Sequence, residues 1–378
     1  MGIRLRIEAN KNMKIEVIKE KLQRVVGKAE RLAGKHLSLP ILSHLLLIVK
    51  KGALTVRATN LDMGVEYTIP VRVEKEGSVA VPAAVFSGFI SNLGNVKTVS
   101  LGLGDGKLTV SAPGAKAVMS TSSFEDFPTI PKAEGSSFPM DPQVLLKGFR
   151  AVHYAGALGN LKPELSSVYL YADNEELVFV ATDSFRLAEK RAVLKKGATP
   201  FQSILIPLKN VSELVRMLEE ENEPLRVSIG KGQFSIEGSG LLVTSRLVEG
   251  SFPDYRQIIP KEFAAEAVVL KEDLLSALKL TTLFSDRFNQ LHLKLDPKKK
   301  LFELSAKSGE LGESSADVPA ALTGASLESN FNHRYIADCL HAVSADSVAF
   351  RFSGENRPLL IGGVSDPSFR YLVMPMNR

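Results

Sequence analysis

LLLIVKKGALTV, residues 45–56, is the stretch from which the fold can be read. Two apolar runs flank a short polar turn that ends in glycine, so it predicts strand, turn, strand: a β-hairpin. The phrase returns twice, as VYLYADNEELVFV (168–180) and LHLKLDPKKKLFEL (291–304). The second strands align as LTVRAT from Leu54, LVFVAT from Leu177 and LFELSA from Leu301, so the steps, 177 − 54 and 301 − 177, are 123 and 124 residues. That period is too long for a solenoid repeat and suits a whole small domain. The chain therefore reads as three copies of one domain.

Working outward, six segments show i, i+3, i+4 apolar spacing and predict helices: 17–33, 82–93, 141–155, 208–220, 271–284 and 332–343. Pro82 and Pro142 suit a first helical turn, and Asp141 suits an N-cap. Alternating, β-branched segments lie between them. Each copy thus reads as two half-units, each one helix with about four strands. The fold class is α+β, with two helices per domain packed on antiparallel sheets. Two Pro-rich phrases, FEDFPTIPK (124–132) and GSFPDYRQIIPKE (250–262), mark equivalent exits from the first two copies. The expected domains are 13–132, 137–258 and 262–378, with residues 1–12 as an extension of unassigned role.

The 378 residues are 44% hydrophobic and 24% charged, the balance of a soluble globular chain. No apolar run approaches the ~20 residues that span a bilayer, and the first residues carry no signal-peptide core. A single cysteine, Cys339, fits a reducing compartment, so a cytoplasmic protein with no membrane partner is expected. The net charge of +5 is mild, and its placement matters more than its sum. Lys21, Arg24, Lys28, Arg31 and Lys35 follow i, i+3, i+7, i+10, i+14 and form one stripe on the first helix. Leu22, Val25, Val26, Ala29 and Leu32 form the neighbouring apolar stripe. Such a stripe is either a solvated face or a phosphate-facing one. Other helices add Lys147 and Arg150, Lys209 and Arg216, Lys279 and Arg287. No aromatic residues interleave with these cations, so any nucleic-acid contact would be to the backbone of a duplex, independent of base sequence.

No catalytic constellation emerges. GLGDG (102–106) precedes a strand, whereas a phosphate loop should open a helix. ATDSFRL (181–187) has no nucleophile elbow around Ser184, and ATN (58–60) stands at the same point of the first copy. His333 and His341 lie eight apart, not at zinc spacing, and Cys339 sits among apolar residues as a core side chain. No cofactor or metal is expected. The ending YLVMPMNR reads either as a last strand of the third sheet or as an adaptable, Met-rich surface.

LPILSHLLL (39–47), ATDSFRLA (181–188), SFPDYRQIIPKE (251–262) and YLVMPM (371–376) together resemble the bacterial sliding clamp family, the β subunit of DNA polymerase III. The resemblance runs from about Met13 to the end. It implies a non-catalytic, head-to-tail homodimeric ring around duplex DNA, with helices lining the hole. The implied partners are the replicative polymerase, the clamp loader and repair proteins, each docking by a short peptide motif. The implied DNA-facing set is Lys21, Arg24, Lys28, Arg31, Lys35 and His36, with Lys147, Arg150, Lys209, Arg216, Lys279 and Arg287 beside it. The implied peptide pocket comprises Leu165, Thr182, Ser184, Phe185, Arg186, Leu187, Pro253, Ile258, Leu372, Val373, Met374, Pro375 and Met376. Three features depart from the family. Ser184-Phe185 replaces a usual Gly-His, Gln257 replaces a common Arg, and the chain is basic where the family is usually acidic. The competing reading is a regulator on the same fold that binds DNA or protein without a polymerase partner.

Overall fold

A computed structural model describes residues 12–34, 39–159, 161–194, 201–238 and 240–376. All six helices form, each inside its expected span: α1 Lys19–Glu30, α2 Ala83–Asn92, α3 Pro142–Val152, α4 Leu208–Leu218, α5 Lys271–Thr281 and α6 His333–Leu340. The expected ends of α3 and α5 instead tighten into 3-10 turns at His153–Ala155 and Thr282–Phe284. Pro142 opens α3, whereas Pro82 stands one residue before α2, at its N-cap. Asn332 caps α6 by accepting from the Arg334 N–H at 2.9 Å.

The three hairpins form as read, with Leu47 opposite Val56, Tyr169 opposite Val180 and Leu293 opposite Leu304. In the first, Lys51 and Gly52 both take positive φ (51° and 76°), which matches the right-handed twist of the flanking strands. GLGDG is likewise a hairpin turn, with Asp105 at φ 49° and Gly106 at φ 70°.

The strands form four antiparallel sheets. A five-stranded sheet runs Arg72–Lys75, Met13–Ile18, Thr98–Gly104, Lys107–Ala112, Ala115–Ser120. An eight-stranded sheet runs Gly135–Met140, Leu225–Gly230, Gln233–Gly238, Leu241–Arg246, Met63–Pro70, Ala53–Thr59, His44–Lys50, Gly77–Pro82. A nine-stranded sheet runs Ile204–Pro207, Ser167–Asp173, Glu176–Thr182, Arg186–Val193, Asp366–Val373, Leu359–Gly363, Ser347–Phe352, Ala265–Leu270, Ala320–Gly324. A four-stranded sheet runs Gly312–Asp317, Leu301–Ser308, Gln290–Asp296, Leu327–Asn332.

The chain divides into two compact units, and the division falls inside the middle copy of the repeat. One unit holds the residues up to Pro142 with Glu221–Arg246, and its eight-stranded sheet joins first-copy strands to second-copy strands through Met63–Pro70 and Leu241–Arg246. Its helix α1 buries Leu22, Val25, Val26 and Ala29 against Ala53–Thr59, Met63–Pro70 and α2. The other unit holds Gln143–Glu220 and the residues from Leu247 onward, and its nine-stranded sheet joins Arg186–Val193 to Asp366–Val373. The C-terminal segment is therefore an interior strand, flanked on both sides, up to Val373.

Candidate functional site

The ATDSFRL segment forms a turn locked by its own side chains. The Thr182 hydroxyl donates to the Arg186 carbonyl at 2.6 Å and accepts from the Ser184 N–H at 3.2 Å. Asp183 Oδ1 accepts from the Phe185 and Arg186 N–H groups, both at 2.9 Å. This arrangement puts Ser184 at φ 79°, a region where glycine is at ease and a side chain is strained. The glycine usual in the resembling family thus has a conformational reason, and Ser184 occupies the strained position here.

The tail runs along this turn. Leu187 pairs with Leu372 and Arg186 with Val373 across the sheet. The Met374 N–H donates to the Phe185 carbonyl and the Met376 N–H to the Asn330 carbonyl, both at 2.8 Å. Leu187 and Leu372 enter one apolar cluster with Tyr171, Val178, Val180, Tyr255 and Leu360, with Phe252 and Ile259 packed against it. The turn, the 252–259 segment and the tail therefore meet through Phe252, Tyr255 and Ile259, while Pro253 and Ile258 lie outside that cluster. Their accessibility is uneven. Leu187, Leu372 and Val373 are core residues that support the surface from beneath. Phe185, Ile258 and Met374 are the exposed apolar side chains, at 62, 49 and 37%. Thr182 and Leu165 are nearly buried, Pro253 is exposed, and Pro375 and Met376 are half-buried.

Arg186 fixes the turn to α6. Its guanidinium donates to Asp183 Oδ2 at 2.9 Å and to Asp338 Oδ2 at 2.6 Å, and it lies over the Tyr335 ring at 4.4 Å. Burial works against the cation, but Tyr371 and Asp338 more than offset it, so Arg186 stays charged. Tyr335 and Asp338, one turn apart on α6, were not singled out from the sequence as site residues.

PDYR owes its shape to Tyr255. The ring is buried, and its hydroxyl donates to Glu189 Oε2 at 2.5 Å and lies 2.8 Å from the Tyr171 hydroxyl. Glu189 is itself buried and accepts from Arg191 Nε at 3.1 Å. Burial, with the bonds to Glu189 and Tyr171, holds the Tyr255 phenol far above its ordinary range. Gln257 turns back to Asp254 at 2.7 Å.

The first copy builds the same turn. The Thr59 hydroxyl donates to the Met63 carbonyl at 2.8 Å, Asn60 Oδ1 accepts from the Asp62 and Met63 N–H groups, and Leu61 sits at φ 73°. Even the edge bond recurs, with the Arg246 N–H donating to the Asp62 carbonyl at 2.8 Å. The copies diverge at the next position. Gly64 stands where the second copy has Leu187, and a Cβ there would come within 2.8 Å of Ile130 Cγ2. Ile130, from the FPTIPK exit, fills the first copy's turn from its own chain.

The cations divide by setting. On α1 the cationic positions 21, 24, 28 and 31 centre about 130° around the helix from the buried stripe, at 100° per residue. Lys21, Arg24 and Arg31 are exposed and Lys28 half-buried, while Lys35 and His36 lie outside the described residues. Arg150 pairs with Glu219 at 2.5 Å, and Arg216 pairs with Glu213. Lys147, Lys209 and Lys279 are exposed. Arg287 does not belong to α5. It lies in the loop beyond the 3-10 turn, with its guanidinium 4.8 Å from the Phe288 ring. Among the described residues no group of three or more His, Cys, Asp or Glu is placed to hold a metal, and no helix is long and apolar enough to cross a membrane.

Comparison with known proteins places this geometry. The chain is similar to the beta sliding clamp of Escherichia coli K12, 28% identical over 371 residues, covering 97% of this chain and all of that protein. It is similar to that of Bacillus subtilis at 26% over 378 residues, covering 97% and 100%. Among solved structures, a sliding clamp (DNA polymerase III subunit beta) from Pseudomonas aeruginosa bound to griselimycin superposes with a TM-score of 0.92, at 26% identity over 97% of this chain and all of that one. The beta subunit from Thermotoga maritima gives 0.90 at 25%, with the same coverage. The N-terminal, central and C-terminal domain models of one family match residues 13–131, 140–254 and 256–377 in turn, so this chain belongs to the DNA polymerase III beta subunit family.

Proposed function

We propose that this protein is a DNA sliding clamp: a head-to-tail homodimeric ring that encircles duplex DNA in the cytoplasm and tethers the replicative polymerase. It acts as a scaffold, without chemistry of its own. Family membership supports this reading, and one observation carries it. Helix α1 buries one stripe in the sheet and holds Lys21, Arg24, Lys28 and Arg31 on another, which suits a phosphate surface and needs no base contact. Lys147, Lys209 and Lys279 are further exposed cations of the proposed DNA-facing set, and Arg150 and Arg216 pair with Glu219 and Glu213. A ring also accounts for the ends of the outer sheets. The five-stranded sheet ends on Ala115–Ser120 and the four-stranded sheet on Gly312–Asp317, with Val118 and Leu311 well exposed beside them. A closed head-to-tail contact covers such edges.

The partner site we propose is the surface around Phe185, Ile258 and Met374, floored by Leu187 and Leu372, where polymerase, clamp loader and repair proteins dock apolar anchors of a short motif. The filled turn at Gly64 and Ile130 supports one such site per chain. The domain bounds we assign are 13–132, 137–258 and 262–378. The test is retention on DNA. Loaded on nicked circles by a clamp loader, the protein should stay until the circle is cut, then slide off. Release from intact circles as fast as from linear duplex would overturn the ring.

A further inference from the structure

The first and second copies hold one backbone frame and dress it with different side chains. In the second copy Leu187 pairs with Leu372 and Arg186 with Val373, and the bond from the Met374 N–H to the Phe185 carbonyl carries the ladder one rung further. Phe185 is therefore the cross-strand neighbour of Met374. In the first copy Gly64 pairs with Thr244 and Met63 with Ser245, and the bond from the Arg246 N–H to the Asp62 carbonyl makes the same extra rung. Both bonds measure 2.8 Å. On this shared frame the outer rung is Phe185 and Met374 in the second copy, and the oppositely charged Asp62 and Arg246 in the first.

Side chains alternate across a strand, so Phe185 shares a face with Leu187 and Met374 with Leu372, roughly 7 Å further along. Leu187 and Leu372 belong to the buried cluster, whereas Phe185 and Met374 are 62 and 37% exposed. One apolar row thus runs from core to solvent. Arg186, next in the chain, alternates to the opposite face and is bound to Asp183 and Asp338. Asp183 Oδ1 is taken up by the Phe185 and Arg186 N–H groups. The ring and the thioether of the outer rung offer a ligand no hydrogen-bond donor, whereas the His usual in the family at the place of Phe185 has ring nitrogens that donate or accept.

We infer that Phe185 and Met374 are the specificity-determining pair of the partner site: they select a docking motif with an aliphatic or aromatic side chain above them and reject one with a carboxamide or carboxylate there. A carboxamide pressed on this pair gives up its bonds to water and finds none in return. A leucine or phenylalanine buries surface against both the ring and the adaptable thioether. The inference rests on the partner site proposed above.

The probe is an arrayed set of hexapeptides in which every position is Leu, Phe, Gln or Glu, screened against the full-length protein. Affinities of the strongest binder and of its single-Gln analogues are then read by fluorescence anisotropy. At one position, Gln in place of Leu or Phe should weaken binding to the parent by roughly tenfold or more. Phe185→His should bring that ratio to about threefold or less and leave the ratios at the other positions alone, whereas Phe185→Leu should keep it. The graft of the first copy's pair, Phe185→Asp with Met374→Arg, should remove the preference. The first copy shows that the frame accepts those side chains, and circular dichroism and melting check the fold of each variant. Unchanged ratios at every position in Phe185→His and in the graft overturn the inference and leave the partner site standing, because the parent still binds. If no hexapeptide binds the parent saturably, the partner site itself fails, and the inference with it.

Discussion

Replacing Tyr255 by Phe removes one oxygen from the molecule and tests how the 252–259 segment is held. The hydroxyl donates to Glu189 at 2.5 Å and meets the Tyr171 hydroxyl at 2.8 Å. Tyr255 is 5% exposed and Glu189 2%, so solvent screening takes little from the bond. A hydrogen bond to a buried charged group contributes about 1.5–3 kcal/mol, and we take about 2 kcal/mol as the loss. The affected unit has 210 residues, 78 in Gln143–Glu220 and 132 from Leu247 to Arg378. For a cooperative unit of that size each kcal/mol moves the melting point by roughly 2–4 °C, so its transition should fall by about 4–8 °C. Calorimetry of parent, Tyr255→Phe, Glu189→Gln and the double variant closes a cycle. Glu189→Gln also weakens the Arg191 Nε contact at 3.1 Å, so the coupling from the cycle, and not that single variant, isolates the tyrosine contact. A coupling of about 1–2 kcal/mol is expected between groups that touch. A shift under about 1 °C for Tyr255→Phe, or additive single effects, would refute the claim that this bond anchors PDYR.

Three further variants probe α1, the Ser184 turn and α6. Charge reversal of Lys21, Arg24 and Lys28 to Glu should cut loading on DNA circles by roughly tenfold or more while circular dichroism stays unchanged; equal loading would return that stripe to an ordinary solvated face. Ser184→Gly should raise the melting point by about 1–2 °C, because relief of roughly 1–2 kcal/mol of left-handed strain exceeds the ~0.5–1 kcal/mol that glycine adds to the unfolded state's freedom; a lower melting point would mean the serine is not strained. Burial and the neighbouring Arg334 lower the His333 pKa below its ordinary 6.5. Its contribution to stability is therefore whole above pH 6.5 and is lost as the pH falls through that value toward the folded pKa. Melting curves of His333→Gln should be flatter across that window than those of the parent, and identical slopes would count against the assignment.

The fold was legible because its signals are local and repeated. Lys51-Gly52 demands a tight hairpin, Leu22, Val25, Val26 and Ala29 demand a helix with one buried stripe, and each pattern recurs at one period. What escaped was set by contacts across long separations. Nothing near Tyr335 or Asp338 in the chain signals Arg186, 152 residues before Asp338. Helix bounds erred only at their ends, where α3 and α5 tighten into a final 3-10 turn. Arg287 lies beyond even the expected span 271–284, and α5 itself ends at Thr281. Of the two readings of the C-terminal segment, the strand is what forms, up to Val373. Val373 is the last residue with neighbours on either side, and Met374 begins the exposed part.

The long sheets carry a consequence for how such a chain can be divided. The sequence repeats by domain, yet the packing closes across domains, so repeat and folding unit are half a period out of phase. A central segment cut at 140–254 would take Leu241–Arg246 without its neighbour Met63–Pro70, and Arg186–Val193 without Asp366–Val373. Both would become bare edges, open to pairing with any other strand. The middle copy therefore takes sheet neighbours from both flanking copies, and a cut at its sequence boundaries would expose an edge on each side.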